Sequence, residues 1–223
     1  MEAVIDSPRV VEPRPFVEAG GEQRVLLHGI SWKTYERLCE ELGDQSHIRM
    51  WYDRGELEIM SPLYNHEFFN RSIAALGQFI ALELGINIAD AGSTTLKIKR
   101  KERGAEPDTC FYIKNEALMR GKARVDLRKD PPPEIVFEID ITSSSIDKFS
   151  IYANFGVPEL WHYDGGVVCI FWLEAGQYVE KPSSLMFDWL TGDKLAEFLD
   201  RCVEVGQSAA LKEFRDWMRT ELD

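Results

Sequence analysis

Two carboxylates lie on one face of the most apolar strand that the sequence predicts. In the stretch EIVFEIDIT, residues 134–142, side chains alternate so that Glu138 and Asp140 share a face with Val136, while four large apolar side chains take the other face. We expect such an apolar strand to be central in a sheet. Two carboxylates there are costly unless they are paired with cations, protonated or bound to a metal ion.

A third carboxylate, Asp108, opens another predicted strand in the stretch PDTCFYI, whose large apolar side chains fall on the opposite face. If the two strands pair, Asp108, Glu138 and Asp140 converge, and a divalent cation relieves the repulsion among them. Hard cations such as Mg²⁺ or Mn²⁺ take oxygen ligands of this kind. The alternative is a set of separate salt bridges, with Glu138 paired to a lysine and Asp140 capping the next helix.

Lys148 follows in the first turns of the helix predicted directly after the carboxylate strand, so its ammonium group can reach back over the strand end. A lysine beside a metal-bound water can orient that water, lower its pKa or stabilise charge that develops on a phosphate. The alternative for a single helical lysine is a solvated surface charge.

Hydrophobic periodicity predicts the elements that position these side chains. Around the centre the order is helix, strand, strand, strand, helix, strand, which is typical of an α/β or α+β domain with a mixed sheet. The predicted core elements are a helix over 65–85, strands near 86–89, 94–99, 107–113 and 134–142, a helix capped by Ser144 that ends at Phe155, and strands over 159–163, 167–173 and 177–181.

Further elements flank this core. A short strand over 24–29, a helix over 32–42 capped by Ser31 and a hairpin around Arg54 and Gly55 precede it, and two helices near 193–202 and 207–222 follow. The expected organisation is a loose tail over 1–23, one domain over 24–185 and a helical extension of that domain over 186–223.

The chain of 223 residues carries 26 Lys and Arg against 38 Asp and Glu, a net charge of −12, which weighs against tight, indiscriminate binding of nucleic acid. The segment from Thr94 to Asp130 is nevertheless basic, with eleven basic and six acidic residues. It is interpreted either as a solvated hairpin and loop or as a surface that faces phosphates. The candidate nucleic-acid-binding residues in it are Lys97, Lys99, Arg100, Lys101 and Arg103.

Other classes of protein are disfavoured. No run of about 18 apolar residues predicts a membrane span, and no stretch indicates an organic cofactor. The four cysteines are scattered without a CxxC pair, which argues against a structural zinc site and fits a reducing compartment. The N-terminus does not have the pattern of a signal peptide. We therefore expect a cytoplasmic protein.

Four stretches resemble the Uma2 family of restriction endonucleases, within the PD-(D/E)XK nuclease superfamily. They are GELEIMSPLYNHEFFNRSI, EPDTCFYI, EIVFEIDITSSS and DKFSIYANFGVPELWHYDG, and the similarity covers roughly Trp32 to Trp172. The resemblance implies a restriction-endonuclease-like core of helix, three strands, helix and strand around one Mg²⁺-type site, with the N-terminal hairpin and the C-terminal helices added to it.

By this resemblance Asp108 and Glu138 are metal ligands. The chain departs from the family motif where a lysine is expected, because Asp140 stands there, and Lys148 from the next helix is the matching candidate. Asp140 is then an additional ligand or a neighbour of the ligands.

His66 stands three residues before Phe69, so it shares the buried face of the first core helix and points towards the sheet. In the family the start of this helix lies near the metal, which favours His66 as a donor to a ligand or a residue that positions water. The alternative is a capping or core histidine.

The leading hypothesis is a Mg²⁺-dependent (or Mn²⁺-dependent) endonuclease that hydrolyses DNA phosphodiester bonds with a metal-activated water and no covalent intermediate. Many nucleases of this superfamily cut both strands as dimers, so a homodimer is expected. One alternative is a non-catalytic module on the same fold that binds nucleic acid or protein. Another is a metal-dependent hydrolase of small phosphate esters.

Overall fold

The strands form two sheets in the computed structural model, which describes residues 22–43, 48–141 and 145–222. The strands are β1 (Gln23–Leu27), β2 (Arg49–Asp53), β3 (Glu56–Ser61), β4 (Ala89–Asp90), β5 (Leu96–Ile98), β6 (Arg103–Ala105), β7 (Thr109–Tyr112), β8 (Ile135–Ile139), β9 (Glu159–Tyr163), β10 (Val168–Glu174) and β11 (Gln177–Lys181). The first sheet, in the order β1-β3-β2-β6-β5, is antiparallel throughout. The second, in the order β11-β10-β9-β8-β7-β4, is mixed because β8 and β9 run parallel.

Capping residues explain where three of the helices begin or end. The Ser31 side chain caps the first helix by accepting from the Thr34 amide, and the Asp147 side chain caps the fourth by accepting from the Ser150 amide. Gly85 ends the second helix in the left-handed conformation that glycine favours. The helices are α1 (Trp32–Leu42), α2 (Tyr64–Leu84), α3 (Glu116–Met119), α4 (Lys148–Phe155), α5 (Gly192–Val205) and α6 (Gln207–Leu222).

The predicted core order is found in the second sheet and its helices. It runs α2, β4, β7, β8, α4, β9, and α4 makes the crossover that joins the parallel strands β8 and β9. The strands β5 and β6 lie outside this order, because in the first sheet β6 pairs with β2 and β5 pairs with β6. The predicted α/β fold with a mixed sheet is therefore confirmed, and the N-terminal hairpin belongs to a separate antiparallel sheet.

The two faces of β8 point into different cores. Ile135, Phe137 and Ile139 pack in a cluster with α2, α5 and α6, whereas Val136 packs in a second cluster with α4 and strands of the first sheet. Glu138 alternates onto the same face as Val136. The carboxylate of β8 therefore lies between the two sheets, as the alternation of the sequence predicts for that face.

Several boundaries differ from the predictions. The fourth helix begins at Lys148 after Asp147, and the predicted cap Ser144 lies outside the described residues, as do residues 1–21 of the predicted tail. Gln23 already belongs to β1. β8 ends at Ile139, so Asp140 lies just beyond the strand. Within the described part of the chain, no helix is long and apolar enough to cross a membrane.

Candidate active site

Glu138 lies at the centre of a buried cluster between the two sheets. Its side chain is 1% exposed. Oε2 accepts a hydrogen bond from the Lys148 ammonium group at 2.7 Å, and Oε1 accepts from the Trp51 indole at 3.4 Å and from the Tyr152 hydroxyl. Strand β2 and helix α4 thus supply donors to both oxygens of this carboxylate.

Lys148 occupies the first position of α4, where the helix returns towards the end of β8. Its Nζ lies 2.7 Å from Glu138 Oε2 and 2.7 Å from Asp140 Oδ1. It also lies 3.9 Å from the centroid of the Trp51 ring, in cation–π geometry. As the sequence predicts, the ammonium group reaches back to the end of β8. There it bridges Glu138 and Asp140, two of the three candidate carboxylates.

Asp140 is surrounded by cationic and donor groups. Oδ1 accepts from Arg24 Nη2 at 3.0 Å as well as from Lys148, and Oδ2 lies 3.2 Å from His162 Nε2. Burial raises the pKa of Asp140, but the hydrogen bond with His162 and the charge of Lys148 outweigh it, so the net shift of the pKa is downward. Asp140 is therefore held as a carboxylate.

Asp108 lies immediately before β7 and is oriented by the neighbouring strand. Its Oδ2 accepts from the Ile139 amide at 2.7 Å. Its Oδ1 is buried and accepts no hydrogen bond within the described residues. The nearest cationic or imidazole nitrogens to Oδ1 are His66 Nε2 at 3.3 Å and Arg49 Nε at 4.0 Å. Asp108 thus presents one oxygen with unused acceptor capacity.

His66, in the first turn of α2, is fully buried beside Asp108, as its helical position predicts. Burial lowers the pKa of the imidazole, but the adjacent Asp108 carboxylate raises it by more, and the net shift is upward. The distance of 3.3 Å is an ion-pair distance, and neither ring nitrogen of His66 has a hydrogen-bond partner among the residues described.

Sequence reasoning missed several members of the cluster, among them Arg24, Glu22 and Glu58. Arg24 Nη2 lies 2.7 Å from Glu22 Oε2, and Nη1 lies 2.7 Å from Glu58 Oε1. The Glu58 carboxylate also accepts from the Ser145 amide at 2.6 Å. A signal was available in β3, because strand alternation puts Glu58 on the same face as the fully buried Met60.

The pKa of Glu138 and that of Lys148 are both shifted upward. Burial raises the pKa of Glu138 to about 7, against the opposing charge of Lys148 and with the support of the Asp108 and Asp140 charges. Burial lowers the pKa of Lys148, but the charges of Glu138, Asp140 and Asp108 more than offset it. Lys148 is therefore a cation at neutral pH, and Glu138 takes up a proton more readily than Asp140, whose pKa is lowered.

The cluster as a whole has an excess of negative charge, which is the condition that a divalent cation relieves. Yet no three His, Cys, Asp or Glu side chains within residues 22–43, 48–141 and 145–222 are grouped so that they could hold one metal ion. Asp108, Glu138 and Asp140 are brought together without forming the three-carboxylate group that the sequence predicted, because Lys148 and Arg24 engage Asp140. The charged members are the acids Glu22, Glu58, Asp108, Glu138 and Asp140 and the bases Arg24, Arg49 and Lys148.

The predicted nucleic-acid-binding residues lie in different environments. Lys97 lines a cavity next to the cluster, Lys99 lies 3.5 Å from Glu36, and Arg100 is exposed. Lys101 donates to the carbonyl oxygen of Asn154. Arg103 is buried, with its Nε 2.9 Å from Asp53 Oδ1. A buried, ion-paired arginine stabilises the fold and is not available for phosphates in this conformation.

Comparisons with known proteins agree with this architecture. A family model described as "Putative restriction endonuclease", with the family name Uma2, matches residues 32–199. The crystal structure of a putative nuclease belonging to DUF820 from Anabaena variabilis ATCC 29413 is similar with a TM-score of 0.50 and 12% sequence identity, over 76% of this chain and 99% of that one. At that identity the likeness shows the fold alone. No curated protein matches the chain. The resemblance predicted from the sequence is confirmed.

Proposed function

The chain belongs to the Uma2 family of putative restriction endonucleases, and from this premise we propose that it is a metal-dependent endonuclease that hydrolyses DNA phosphodiester bonds. The observation that carries the proposal is the position of Lys148. Its Nζ lies 2.7 Å from both Glu138 and Asp140. Asp140 stands where the motif of the nuclease superfamily has a lysine, so an ammonium group is supplied at the same place from helix α4.

The donors of the cluster fit a hard divalent cation. Mg²⁺ is commonly held by one or two carboxylates and keeps several waters, so a site for it does not require three side-chain ligands. Asp108 and Glu138 would hold the cation, and the buried Asp108 Oδ1 has acceptor capacity for it. When bound, Mg²⁺ or Mn²⁺ supplies Lewis acidity and lowers the pKa of a coordinated water. The negative excess among the buried side chains supports the same assignment.

The residues of the chain would then act as fixed charges and donors. Lys148 stays protonated and stabilises the negative charge that develops on the phosphate oxygens. The Trp51 indole and the Tyr152 hydroxyl hold the Glu138 carboxylate in place. The Ile139 amide fixes Asp108 Oδ2 and so turns Oδ1 towards the interior of the cluster. His66 lies beside Asp108, where it can orient that carboxylate or a water.

The experiment that tests the proposal is plasmid nicking with Mg²⁺ or Mn²⁺ by the wild type and by Asp108→Asn. We expect metal-dependent nicking that is lost in Asp108→Asn and retained in Asp188→Asn, a control that removes the same charge at an exposed position away from the cluster. Circular dichroism of each variant would establish that it is folded. Equal nicking by the wild type and Asp108→Asn would refute the assignment of the site.

A second candidate function is a binding module without catalysis. The specific observation in its favour is that protein donors already engage both Glu138 oxygens and both Asp140 oxygens, which leaves fewer lone pairs for a metal ion. Such a module would bind DNA equally well with and without EDTA and would not nick it. Binding of Mn²⁺ followed by calorimetry, compared between the wild type and Asp108→Asn, separates the two functions.

The proposal also covers the cellular location of the protein and its oligomeric state. The four cysteines are free thiols, which supports a cytoplasmic location. Cutting both strands of a duplex needs two sites, which supports a homodimer on DNA. Light scattering with and without a DNA duplex tests the assembly state, and a monomer under both conditions would contradict it.

A further inference from the structure

A cavity of about 490 Å³ lies beside the candidate active site. Its wall includes residues from five parts of the chain, namely the end of α1, the start of β2, the segment before and within β5, the residue after β6 and the loop that follows α3. The charged and hydroxyl side chains that line it are Glu40, Arg49, Ser93, Thr94, Thr95, Lys97, Glu106 and Arg124. Three bases thus face two acids in this wall, in a protein with a net charge of −12.

Arg49 connects the cavity to the buried carboxylates. Its side chain is 7% exposed, and Nε lies 4.0 Å from Asp108 Oδ1. Nη2 donates to Glu67 Oε1 at 3.1 Å, whereas Nε has no hydrogen-bond partner among the residues that the structure describes. Arg49 therefore places a guanidinium charge between the cavity and the buried Asp108 carboxylate.

Lys97 and Arg124 are the two bases of the same segment that line the cavity. Neither has an ion-pair partner within the described residues, whereas Arg103, Arg120, Lys122 and Arg128 are paired with carboxylates. Unpaired basic side chains on the wall of a cavity concentrate positive potential there. Such a potential favours an anion with several acceptor oxygens, as a phosphate diester has.

Of the two acids in the wall, Glu40 is exposed and Glu106 is engaged by internal donors. Glu106 Oε1 accepts from the Thr95 hydroxyl at 2.9 Å, and Oε2 accepts from the Met50 amide at 3.1 Å. The Glu106 carboxylate is thus engaged by internal donors. It lies two residues before Asp108, so the wall of the cavity and the candidate metal ligand are parts of one short segment.

We propose that this cavity is a subsite for a backbone phosphate of the DNA strand next to the phosphate that is cleaved, with Lys97 and Arg124 as its cationic ligands and Arg49 at its inner end. The inference rests on the proposed function, because it assumes that DNA reaches Asp108. It goes further in two ways. It places the DNA strand on the side of the cluster where the cavity lies, and it assigns phosphate binding to Lys97 and Arg124 among the eleven bases of residues 94–130.

The test measures binding of a fluorescein-labelled DNA duplex by anisotropy in EDTA, where no cleavage occurs, over a series of salt concentrations. The variant is the double substitution Lys97→Ala with Arg124→Ala. Its matched control is Arg120→Ala with Arg128→Ala, which removes the same charge from the same segment at exposed, ion-paired positions. We expect the cavity double variant to bind about tenfold more weakly and its salt slope to fall by about 1 for each residue removed, with little change in the control.

Equal weakening in both double variants would overturn the subsite, since general charge attraction would then explain binding. Absence of DNA binding by the wild type, or stronger binding of an RNA of equal length that also depends on Lys97 and Arg124, would overturn it as well. Nicking in Mg²⁺ is measured separately. Nicking without dependence on the cavity would refute the subsite alone, and cavity-dependent binding without nicking would refute the catalytic proposal alone.

Discussion

The guanidinium nitrogen Nη2 of Arg24 lies 3.0 Å from Oδ1 of Asp140, although 116 positions separate the two residues in the chain. Arg24 belongs to β1, outside the residues 32–199 that match the family. It also binds Glu22 and Glu58, so one cation is shared by three buried or partly buried carboxylates. The first strand is therefore part of the candidate active site and not a peripheral addition to the fold.

Arg24→Ala is expected to lower the free energy of unfolding by about 3–5 kcal/mol, because it leaves carboxylates without their buried partner. Urea denaturation measures this loss. Arg37→Ala, which removes an exposed arginine paired with Glu41, should leave stability nearly unchanged. In a double-mutant cycle with Asp140→Asn, we expect part of the loss to be recovered. Strict additivity of the two substitutions would show that Arg24 and Asp140 are not coupled.

Lys148→Met is expected to reduce the rate of metal-dependent nicking by about 10²–10³-fold, the effect of removing one charged group that stabilises a transition state. Methionine keeps the length of the side chain but carries no charge. Since the substitution also uncovers Glu138 and Asp140, thermal unfolding and circular dichroism must accompany the assay. Full nicking activity in a folded Lys148→Met protein would remove the central argument for the proposed function.

Gly104→Ala is expected to destabilise the fold by about 1–3 kcal/mol through overpacking. A Cβ at Gly104 would lie 2.1 Å from the hydroxyl oxygen of Tyr35, which is fully buried and stacked on Tyr52 with a centroid separation of 4.8 Å. Gly166→Ala is the matched control, because a Cβ there meets no atom within 4 Å. Both are measured by urea denaturation.

The contact between a Cβ at position 104 and Tyr35 can also be relieved by changing Tyr35. Tyr35→Leu removes the hydroxyl oxygen and also the ring atoms Cζ and Cε1, which would lie 2.4 and 2.5 Å from the added Cβ. Gly104→Ala should therefore cost less stability in the Tyr35→Leu background than in the wild type. An equal cost in both backgrounds would show that contact with Tyr35 is not the cause of the loss.

Glu159→Gln is expected to change how stability depends on pH. Burial raises the pKa of Glu159 in β9, in spite of hydrogen bonds from Trp161 and from the Leu185 and Met186 amides. An acid whose pKa is raised by folding binds its proton more tightly in the folded state. The contribution of Glu159 to the free energy of unfolding is therefore most favourable at low pH. It is lost as the pH rises from 4.5, the pKa of the carboxyl in the unfolded chain, through the raised pKa of the folded state.

Urea denaturation at a series of pH values across that window checks this sign. The wild type should lose stability relative to Glu159→Gln as the pH rises. A wild type that gains stability relative to the variant over the same window would show that hydrogen bonding to the ionised carboxylate dominates over burial.

The sequence by itself determined the local elements and the direction of several site residues. The alternation of β8 put Glu138 on the face opposite to Phe137, and the position of Lys148 at the start of α4 put its ammonium group over the strand end. His66 on the inner face of α2 follows from helical spacing in the same way. These predictions succeed because strand and helix periodicity fix side-chain direction within a few residues.

Only the tertiary structure decided which groups meet between the two sheets. Arg24, Glu58 and Trp51 join the cluster because β1, β3 and β2 pair in a separate sheet that covers Glu138. The same pairing buries Arg103 against Asp53, although the sequence groups this arginine with a basic surface. The physical reason is that the cost of burying a charge is offset by partners that strand pairing brings from distant parts of the chain, and local periodicity carries no information about them.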